Sequence, residues 1–542
     1  MVAWQAVFEC GSEGVMLLKA PLISSLAPLS SSIAALMALS PLAGCGSSGD
    51  GSEPSRVVAP NEAQSGGMPP EPRPGSGGTM EGGPAGDLGL DVPEPTELSA
   101  DQAVTDVSVE VHPDVNTLLV VTWNQALEAD GVWLEFSFEE GNVMTSRRAS
   151  GALGPHRDVV IGVPGETLVT VRLVLERQGV ELRTRDYQGT TEAVPGGMPR
   201  PAVLAYDAAL AAPDRWMFGS VEDSDGGCNN QTCFYHTTFW LYIIDRQGRI
   251  VWYYADPASN ATTSFQRVAR DGEYIVLEKR PFGQGGQRGV LQMTLDRSYS
   301  EEIAVPNLAD AIDVTDEGSL LYNVDGQNAE LRERTRDGQT RGIWRCGDQF
   351  GQNFQCYSNT VNWNPIDDTV LMSFPYENTV VEIDRQSGEV VGQYGDAPGS
   401  WQFSPATWEF EFQHFANISI DGTLMVSSHM PGFEDTEDPV AGQHAFMEFE
   451  VDRENQRLVE KWVYTDGPEW AMYKGMAMRL AGGNTLANYG TGGVIREITP
   501  DKQTAFLVKF DSERGNDFFN KMVGHNVLLD DLYALNGGPA PR

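Results

Sequence analysis

The sequence predicts an all-β protein, a six-bladed β-propeller preceded by a small β-sandwich. The main observation is a fragment that occurs six times, two short apolar runs joined by a turn that usually begins with Asp. The turn aspartates are Asp245, Asp296, Asp337, Asp384, Asp452 and Asp501. They are separated by 51, 41, 47, 68 and 49 residues, which is the period expected of a propeller blade.

A second pattern lies between these copies, a strand pair around a tight turn. It reads RVARDGEYIVLEK from Arg267, DVTDEGSLLYNV from Asp313, ISIDGTLMVSSH from Ile418 and MRLAGGNTLANYG from Met478. Asp-Gly and Gly-Gly between alternating apolar residues favour hairpins, because a tight turn of the required hand needs positive φ. Each period therefore holds about four strands, and six such sheets packed around an axis leave a funnel where a functional site is expected.

The first 45 residues are similar to a bacterial lipoprotein signal peptide. Lys19 precedes an apolar and small-residue stretch that ends in Leu42-Ala43-Gly44-Cys45, and Met16 is an alternative start. We expect an exported lipoprotein of the outer membrane, cell surface or periplasm, with a lipid anchor on Cys45 as its membrane partner. The alternative, a single transmembrane anchor, is disfavoured by Pro21, Pro28, Pro41 and many serines.

Two further segments precede the propeller. Residues 46–97 are rich in Gly, Pro, Ser and Glu and predict a disordered tether, because they bury too little apolar surface to offset the entropy of ordering. Residues 98–199 contain about seven short alternating runs, which predict a β-sandwich. This segment resembles a fibronectin type III domain with Trp123 in its second strand. We interpret His112 and His156 as surface loop residues.

The chain carries a net charge of −39, and its calculated pI is about 4.4. This balance argues against binding nucleic acid or an anionic lipid surface through a basic face. The acidic residues are spread along the chain without forming a tract, which is typical of a solvated surface.

The four cysteines beyond Cys10 and Cys45 are an even number in an exported protein, which favours disulfides. Local pairing of Cys228 with Cys233 and of Cys346 with Cys356 is the simplest of three connectivities. Zinc is the alternative, although neither pair has the two-residue knuckle spacing. Calcium at Asp223, Asp225 and Asn229 is a weaker possibility, because no glutamate closes a loop in the expected register. No metal or cofactor is therefore expected.

The last third of the chain resembles the bacterial arylsulfotransferase family. The resemblance rests on FQHFANISIDGTLMVSSHM from Phe412, HAFMEFEVDRENQRLVEKWVY from His444 and YKGMAMRLAGGNTLANYGTGGVIREITPD from Tyr473, and it covers roughly residues 206–533. It implies a six-bladed propeller that moves a sulfuryl group from an aryl sulfate to a phenol through a sulfated histidine, without the nucleotide sulfate donor. Small aryl sulfates and phenols are then its substrates.

The histidine that matches the family is His414. It lies eight residues before the turn glycine Gly422, at the expected start of a strand that faces the axis. A neutral imidazole there would act as the nucleophile. We expect Tyr357 to assist catalysis, and the expected substrate-binding residues are Asn359, Asn417, His429, Lys474 and Arg479.

Two substitutions separate this chain from the family pattern. Tyr357 stands where the family has a histidine, and Pro375 where it has an arginine. Lys474, Arg479 or Arg267 would have to supply the missing charge from another blade. The alternative function is therefore a non-catalytic propeller that binds a small molecule, glycan or partner protein at the cell surface. A different hydrolase or lyase on the same scaffold is a third reading.

Overall fold

We analysed a computed structural model of the chain. It describes residues 99–223, 238–255, 262–268, 273–279, 288–324, 329–406, 409–429, 443–465, 471, 474–510 and 522–537. These residues lie in one compact unit that spans 91–542. Their regular secondary structure is nearly all β, as predicted. The two α-helices among them are α1 (Ala100–Ala103) and α2 (Cys346–Phe350), and the 3-10 turns are Pro375–Glu377, Gly490–Gly492 and Tyr533–Asn536.

The N-terminal module is made of nine short strands. They are β1 (Val104–Val111), β2 (Leu119–Gln125), β3 (Ala129–Glu139), β4 (Asn142–Thr145), β5 (Ala149–Gly151), β6 (Gly154–Val160), β7 (Leu168–Arg177), β8 (Val180–Arg183) and β9 (Tyr187–Thr190). One sheet has the order β1-β2-β6, and the other has the order β4-β3-β7-β8, with β5 paired to β3 and β9 to β7. Trp123 lies on β2 as predicted and is buried between them.

The interpretation of the two histidines in this module as surface loop residues is wrong. His112 is buried, and its Nε2 is 3.2 Å from the carbonyl oxygen of Asp296, a residue of the second module. His156 lies on β6 and stacks on Trp123, with ring centroids 5.2 Å apart. Both rings have an apolar body that packs well against protein, and the sequence pattern did not show which surface would cover them.

The second module is a propeller-like array of short strands. The first half comprises β10 (Pro201–Tyr206), β11 (Trp216–Asp223), β12 (Thr238–Asp245), β13 (Ile250–Tyr254), β14 (Thr262–Val268), β15 (Ile275–Lys279), β16 (Gly289–Met293), β17 (Ser300–Ala304), β18 (Leu308–Val314), β19 (Leu320–Val324), β20 (Glu330–Arg334) and β21 (Thr340–Arg345). The second half comprises β22 (Thr360–Asn364), β23 (Thr369–Phe374), β24 (Thr379–Asp384), β25 (Val390–Gly395), β26 (Gln402–Ser404), β27 (Glu411–Ile418), β28 (Leu424–His429), β29 (His444–Asp452), β30 (Arg457–Tyr464), β31 (Gly475–Arg479), β32 (Thr485–Tyr489), β33 (Val494–Ile498), β34 (Thr504–Phe510) and β35 (Val523–Leu529).

These strands form separate sheets of four or five strands, antiparallel except where β26 joins β30. The described orders are β35-β11-β12-β13, β14-β15-β16-β17, β18-β19-β20-β21, β22-β23-β24-β25, β27-β28-β29-β30-β26 and β31-β32-β33-β34-β10. Each predicted repeat is the hairpin between the third and fourth strands of a sheet. The C-terminal strand β35 completes the sheet that begins with β11, and β10 is the outer strand of the last sheet. Both termini therefore help to close the array.

One edge strand of each sheet faces a common centre. These central strands are β14, β18, β22, β27, β31 and β35. They contact one another in series from β14 to β31, and β35 contacts β14 on one side and the last sheet, through β32, on the other. We call the end at which the central strands begin the mouth end. The end that carries the repeated aspartate turns is the turn end.

The turn end is held by repeated ion pairs between arginines and buried glutamates. In three repeats the arginine that follows the turn aspartate reaches a buried glutamate of the neighbouring sheet. The pairs are Arg246 with Glu497 at 2.8 Å, Arg385 with Glu333 at 2.8 Å and Arg453 with Glu382 at 2.9 Å. The aspartate itself closes the turn, as where Asp245 Oδ1 accepts hydrogen bonds from the backbone N–H groups of Gln247 and Arg249.

The N-terminal module packs against the turn end. Tyr533 donates a hydrogen bond to the carbonyl oxygen of Val159 at 2.9 Å, and Ile161 N donates to the Tyr533 hydroxyl at 3.2 Å. Arg249 of the first repeat turn forms an ion pair with Glu139, and His112 contacts the second repeat turn. These contacts are at the end of the array away from the start of the central strands.

The predicted disulfide between Cys346 and Cys356 is confirmed. Cys45, Cys228, Cys233, Asp225 and Asn229 lie outside the described residues, and only the backbone of Asp223 is described. Within the described ranges, no helix has the length and apolar character needed to cross a membrane.

Candidate functional site

His414 is presented by an irregular stretch of β27. The pairing of β27 with β28 changes register on both sides of the His414–Ser427 pair. Phe412 and Phe415 each have a φ of 49°, in the left-handed region that non-glycine residues rarely occupy. Such residues cost on the order of 1–3 kcal/mol each and persist only where the surroundings impose them. Irregularities of this kind re-aim side chains, and here two of them flank one histidine.

The neighbouring sheet imposes this backbone. Gln413 is fully buried, and its Nε2 donates to Ser373 Oγ and to the carbonyl oxygen of Thr379, both at 3.0 Å. Asn359 donates from Nδ2 to the carbonyl oxygen of Gln413 at 2.9 Å. Thr360 Oγ1 accepts a hydrogen bond from Phe415 N at 3.0 Å. Residues from β22 to β24 therefore hold both sides of His414.

Other asparagine side chains also donate hydrogen bonds to backbone carbonyl oxygens of the neighbouring central strand. Asn362 on β22 donates to the carbonyl oxygen of Ala416 on β27 at 2.7 Å, and Asn417 on β27 donates to that of Ala477 on β31 at 2.8 Å. The predicted substrate-binding residues Asn359 and Asn417 are therefore buried residues that join adjacent central strands, and each has an amide N–H engaged in that contact. The sequence analysis missed Asn362, although its spacing of three from Asn359 was visible.

Two more imidazoles lie beside His414. The Nε2 of His429 donates to the carbonyl oxygen of Ala471 at 2.8 Å, so this nitrogen carries the proton. Ser427 is the residue that pairs with His414 in the β27–β28 register. His444 Nε2 is 3.1 Å from the Oγ of this serine. The His429 and His444 rings meet edge to face with centroids 5.5 Å apart. His429 was predicted to bind substrate, and it interacts electrostatically with His414.

Burial keeps these histidines neutral. Burial, with smaller contributions from His429 and Lys474, lowers the pKa of His414 to about 3. Burial also lowers the pKa of His429, and it lowers the pKa of His444 well below its ordinary value. His414 is half-buried and keeps partial access to solvent. At neutral pH it therefore offers an unprotonated nitrogen, which is the form a nucleophile requires.

Two cationic side chains approach the same centre. Lys474 precedes β31 with a φ of 66° and acts electrostatically on His414 and His525. Arg267 on β14 reaches three other central strands: it pairs with Asp313 at 3.2 Å, donates to Asn362 Oδ1 at 3.1 Å and contacts His525 Nδ1.

Arg267 also fixes the tautomer of His525. Because the guanidinium can only donate, His525 Nδ1 accepts, and the proton of this imidazole is on Nε2. Burial followed by the charge of Arg267 lowers the pKa of His525 well below its ordinary value. His525 packs edge to face on Phe415, with centroids 4.4 Å apart. It lies on β35, and its position next to Phe415, the residue after His414, depends on tertiary structure.

The other two predicted residues lie elsewhere. Tyr357 is 39% exposed at the mouth end and packs on Tyr376, with centroids 5.6 Å apart. Arg479 ends β31, whereas Lys474 precedes it, so Arg479 is at the turn end. Its guanidinium pairs with the buried carboxylate of Glu448 and donates to Thr485 Oγ1 at 2.6 Å. The structure thus brings His429 and Lys474 to His414 but gives Arg479 the contacts of a buried structural ion pair.

A metal centre has no support from the described side chains. Among them, no group of three or more His, Cys, Asp or Glu residues is arranged to hold an ion. His414, His429 and His444 are neighbours, yet Nε2 of His429 is already committed as a donor to Ala471.

Comparisons with known proteins leave the family open. No family model and no curated protein matches this chain. A solved protein of unknown function from Bacteroides caccae is 13% identical, with a TM-score of 0.37, over 58% of this chain and 100% of that chain. Another, from Bacteroides thetaiotaomicron, is 12% identical, with a TM-score of 0.31, over 77% and 98%.

An enzyme is also among the similar structures. A catalytically inactive virginiamycin B lyase from Staphylococcus aureus, solved with quinupristin, is 11% identical, with a TM-score of 0.35. The similarity covers 60% of this chain and 98% of that chain. At these TM-scores the likenesses carry no argument about activity.

Proposed function

We propose that residues 200–542 form a six-bladed β-propeller and that residues 98–199 form a fibronectin type III-like sandwich. The propeller is supported by the sheets of four or five strands and by the series of contacts that runs from β35 through β14 to β31. The sandwich is supported by a three-stranded sheet of order β1-β2-β6 that faces a second sheet across Trp123.

On this scaffold, we propose that the protein transfers a sulfuryl group from an aryl sulfate to a phenol, with His414 as nucleophile. The observation that carries the proposal is the presentation of a neutral, solvent-accessible His414 between two left-handed residues, within electrostatic reach of Lys474. Strained backbone, a strongly lowered pKa and a nearby cation are the features that active sites combine.

The reaction would proceed in two balanced halves. A nitrogen of His414 forms a bond to sulfur while the bond from sulfur to the aryl oxygen breaks, and the first phenol leaves after taking a proton. The oxygen of the second phenol then forms a bond to sulfur as the nitrogen–sulfur bond breaks, which restores the neutral imidazole. The proton released by the second phenol balances the one that the first phenol took.

Lys474 is the residue best placed to stabilise the charge in this reaction. Its electrostatic effect on His414 supports this role, and it directly precedes β31 of the neighbouring sheet, as expected for a group that replaces a missing cation. Arg267 is less suited to stabilise this charge, because its guanidinium already pairs with Asp313. Preorganised cations typically contribute several kcal/mol where charge develops in a transition state.

The second candidate function is a non-catalytic binding propeller. Two observations favour it: Tyr357 is exposed at the mouth, and Arg479 is committed to Glu448 at the turn end. The predicted second catalytic group and one predicted anion-binding group are therefore used in other contacts.

The test is acceptor-dependent release of 4-nitrophenol from 4-nitrophenyl sulfate, with phenol as acceptor and the full chain as enzyme. We expect His414→Ala to abolish transfer and Lys474→Met to reduce it by about 10²–10³-fold, as for loss of one charge-stabilising donor. His156→Ala, on β6 of the N-terminal module, is the matched histidine control and should leave the rate unchanged. Transfer that persists in His414→Ala would exclude this histidine as the nucleophile, and no release by the folded protein would favour the binding function.

We also propose that the mature protein is exported and anchored through a lipid on Cys45. The support is the apolar stretch that ends in Leu42-Ala43-Gly44-Cys45 and the disulfide between Cys346 and Cys356, because disulfides persist in exported proteins. Cys45→Ser should move the protein from the membrane fraction to the soluble exported fraction. Unchanged fractionation would contradict lipidation at this residue.

A further inference from the structure

Three aromatic side chains lie together at the mouth end, and one of them, Phe412, is two residues before His414 in the chain. We call Tyr357, Tyr376 and Phe412 the mouth cluster. Tyr376 packs on Tyr357 and on Phe412, with centroids 5.6 and 5.5 Å apart. Tyr357 is 39% exposed and Tyr376 is 55% exposed. Single exposed aromatics are ordinary, but adjacent ones next to a candidate reaction centre offer a surface for a ring or a cation.

Hydrogen bonds from one asparagine fix the arrangement of the mouth cluster. Asn378 follows the turn that carries Tyr376 and has a φ of 43°. Its Oδ1 accepts from Phe412 N at 2.9 Å, and its Nδ2 donates to Asp396 Oδ2 at 2.9 Å. Glu377 in the same turn accepts from Gln355 N at 2.7 Å. The segment before Tyr357 is closed in addition by the disulfide between Cys346 and Cys356.

The same end of the array is acidic. Asp396 is joined to the backbone of Phe412 through Asn378, and Glu411 directly precedes Phe412. A third carboxylate, Glu409, interacts electrostatically with both of them, and burial with these two charges raises its pKa. The carboxylates therefore lie close to one another and beside the mouth cluster. Carboxylates at this position disfavour an anion and favour a cation at the aromatic surface.

The charge changes sign toward the centre. Phe412 packs on His429, with centroids 6.1 Å apart, and His429 acts electrostatically on His414, as does Lys474. A ligand that spans this path meets carboxylates and aromatic faces at its outer end and a cation with a neutral imidazole at its inner end. The complementary molecule carries a positive group outside, an aromatic ring between and an oxyanion or hydroxyl inside.

We propose that the mouth cluster binds an aromatic ammonium ligand, and that the acceptor phenol of the reaction is a phenol bearing a protonated amine. The acceptor assignment rests on the proposed sulfuryl transfer, whereas the binding of the aromatic cation does not. The ammonium group lies against Tyr376 and the carboxylates of Glu411 and Asp396, and the phenolic hydroxyl points toward His414.

Calorimetric titration of the full chain with three phenols of similar size tests the binding. The probes are tyramine, which is cationic, 4-ethylphenol, which is neutral, and 3-(4-hydroxyphenyl)propionate, which is anionic. We expect tyramine to bind about tenfold more tightly than 4-ethylphenol, as for a cation held by aromatic faces and a carboxylate. The propionate should bind more weakly than both. Equal affinities, tighter binding of the propionate or no binding of tyramine at millimolar concentration would overturn the proposal.

Two variants locate the binding to the mouth cluster. Glu411→Gln should lose most of the preference for tyramine while 4-ethylphenol binds as before, and Tyr376→Leu should weaken both. Glu389→Gln changes an exposed carboxylate at the turn end and should change neither. A tyramine preference that survives both Glu411→Gln and Tyr376→Leu would contradict this site.

The same titration separates this proposal from the proposed reaction. His414→Ala cannot transfer the sulfuryl group by the proposed route, yet it should keep the preference for tyramine over 4-ethylphenol, because both phenols lose the same contact at their hydroxyl. If tyramine binds preferentially but no donor yields transfer, the aromatic cation site stands and the reaction fails. If transfer occurs equally well to tyramine and 4-ethylphenol, the reaction stands and the acceptor assignment fails.

Discussion

The mouth end and the turn end of the second module are built from the same sheets by opposite means. At the turn end, three repeat turns share one contact: Arg246, Arg385 and Arg453 each join their turn to a buried glutamate of the neighbouring sheet. At the mouth end the backbone is irregular, with Phe412, Phe415 and Lys474 in left-handed conformations.

The two ends also treat charge differently. Buried carboxylates at the turn end are paired with arginines, as in the Arg246–Glu497 contact. Buried imidazoles near the mouth, such as His414 and His444, are held neutral by burial. The contrast teaches that a repeat can fix the scaffold at one end and leave the other free to depart from regular geometry, which is where function is expected.

The largest effect is expected at the turn end. Arg246→Ala leaves Glu497 buried with its carboxylate short of a cation, since side-chain exposure is 6% for the arginine and 0% for the glutamate. Breaking such a pair typically costs about 3–5 kcal/mol. We expect a clear fall in the midpoint of denaturant unfolding. Arg457→Ala is the control, because its pair with Asp452 is 46% exposed at the arginine and such pairs contribute about 0–1 kcal/mol. Equal shifts of the unfolding midpoint in the two variants would contradict a larger contribution from the buried ion pair than from the exposed one.

A smaller effect is expected where the mouth end is tightly packed. A Cβ at Gly475 would overlap Ser427 Oγ and lie 2.9 Å from His444 Cε1. Gly475→Ala should cost about 1–3 kcal/mol and displace His444, which the histidine resonances would report. Gly482→Ala, in the turn after the same strand, meets nothing within 4 Å and is the matched control. An unperturbed His444 in Gly475→Ala would show that the mouth end tolerates movement better than its packing suggests.

The smallest effect is the pH dependence of stability. The pKa of His444 lies well below 6.5 in the folded protein, so below pH 6.5 the unfolded chain binds a proton that the folded protein does not. Stability therefore falls as the pH drops from 6.5 toward the folded pKa, by about 1.4 kcal/mol per pH unit for one such group. His444→Asn should reduce this slope in unfolding midpoints measured between pH 6.5 and 5. Ser427→Ala retains the imidazole and should keep the slope, and an unchanged slope in His444→Asn would mean that other groups account for it.

Much of the scaffold follows from local sequence. The turn aspartates, such as Asp245 and Asp384, predict hairpins because their side chains accept hydrogen bonds from backbone N–H groups two residues later in the chain. The period of the repeats then predicts separate sheets, because a four-stranded unit cannot bury its faces alone. Alternating residues predict the strands of the N-terminal module for the same local reason.

The candidate site follows from sequence only in part. The position of His414 before a hairpin glycine was enough to predict a central strand. The roles of Asn359 and Arg479 were not accessible, because a polar side chain near a hairpin can face the centre or a neighbouring sheet, and only packing decides between them. The left-handed conformations of Phe412 and Phe415 could not be predicted from sequence either, since phenylalanine favours ordinary extended backbone.

The sequence by itself determined the repeated hairpins and the disulfide-forming pair Cys346 and Cys356. These depend on interactions between residues close in the chain. The tertiary structure alone decided which terminus supplies each closing strand, how Arg267 and Lys474 approach His414, and how carboxylates and aromatic rings meet at the mouth. Those features join segments tens to hundreds of residues apart, and their contacts become favourable only after the sheets have packed around a common centre.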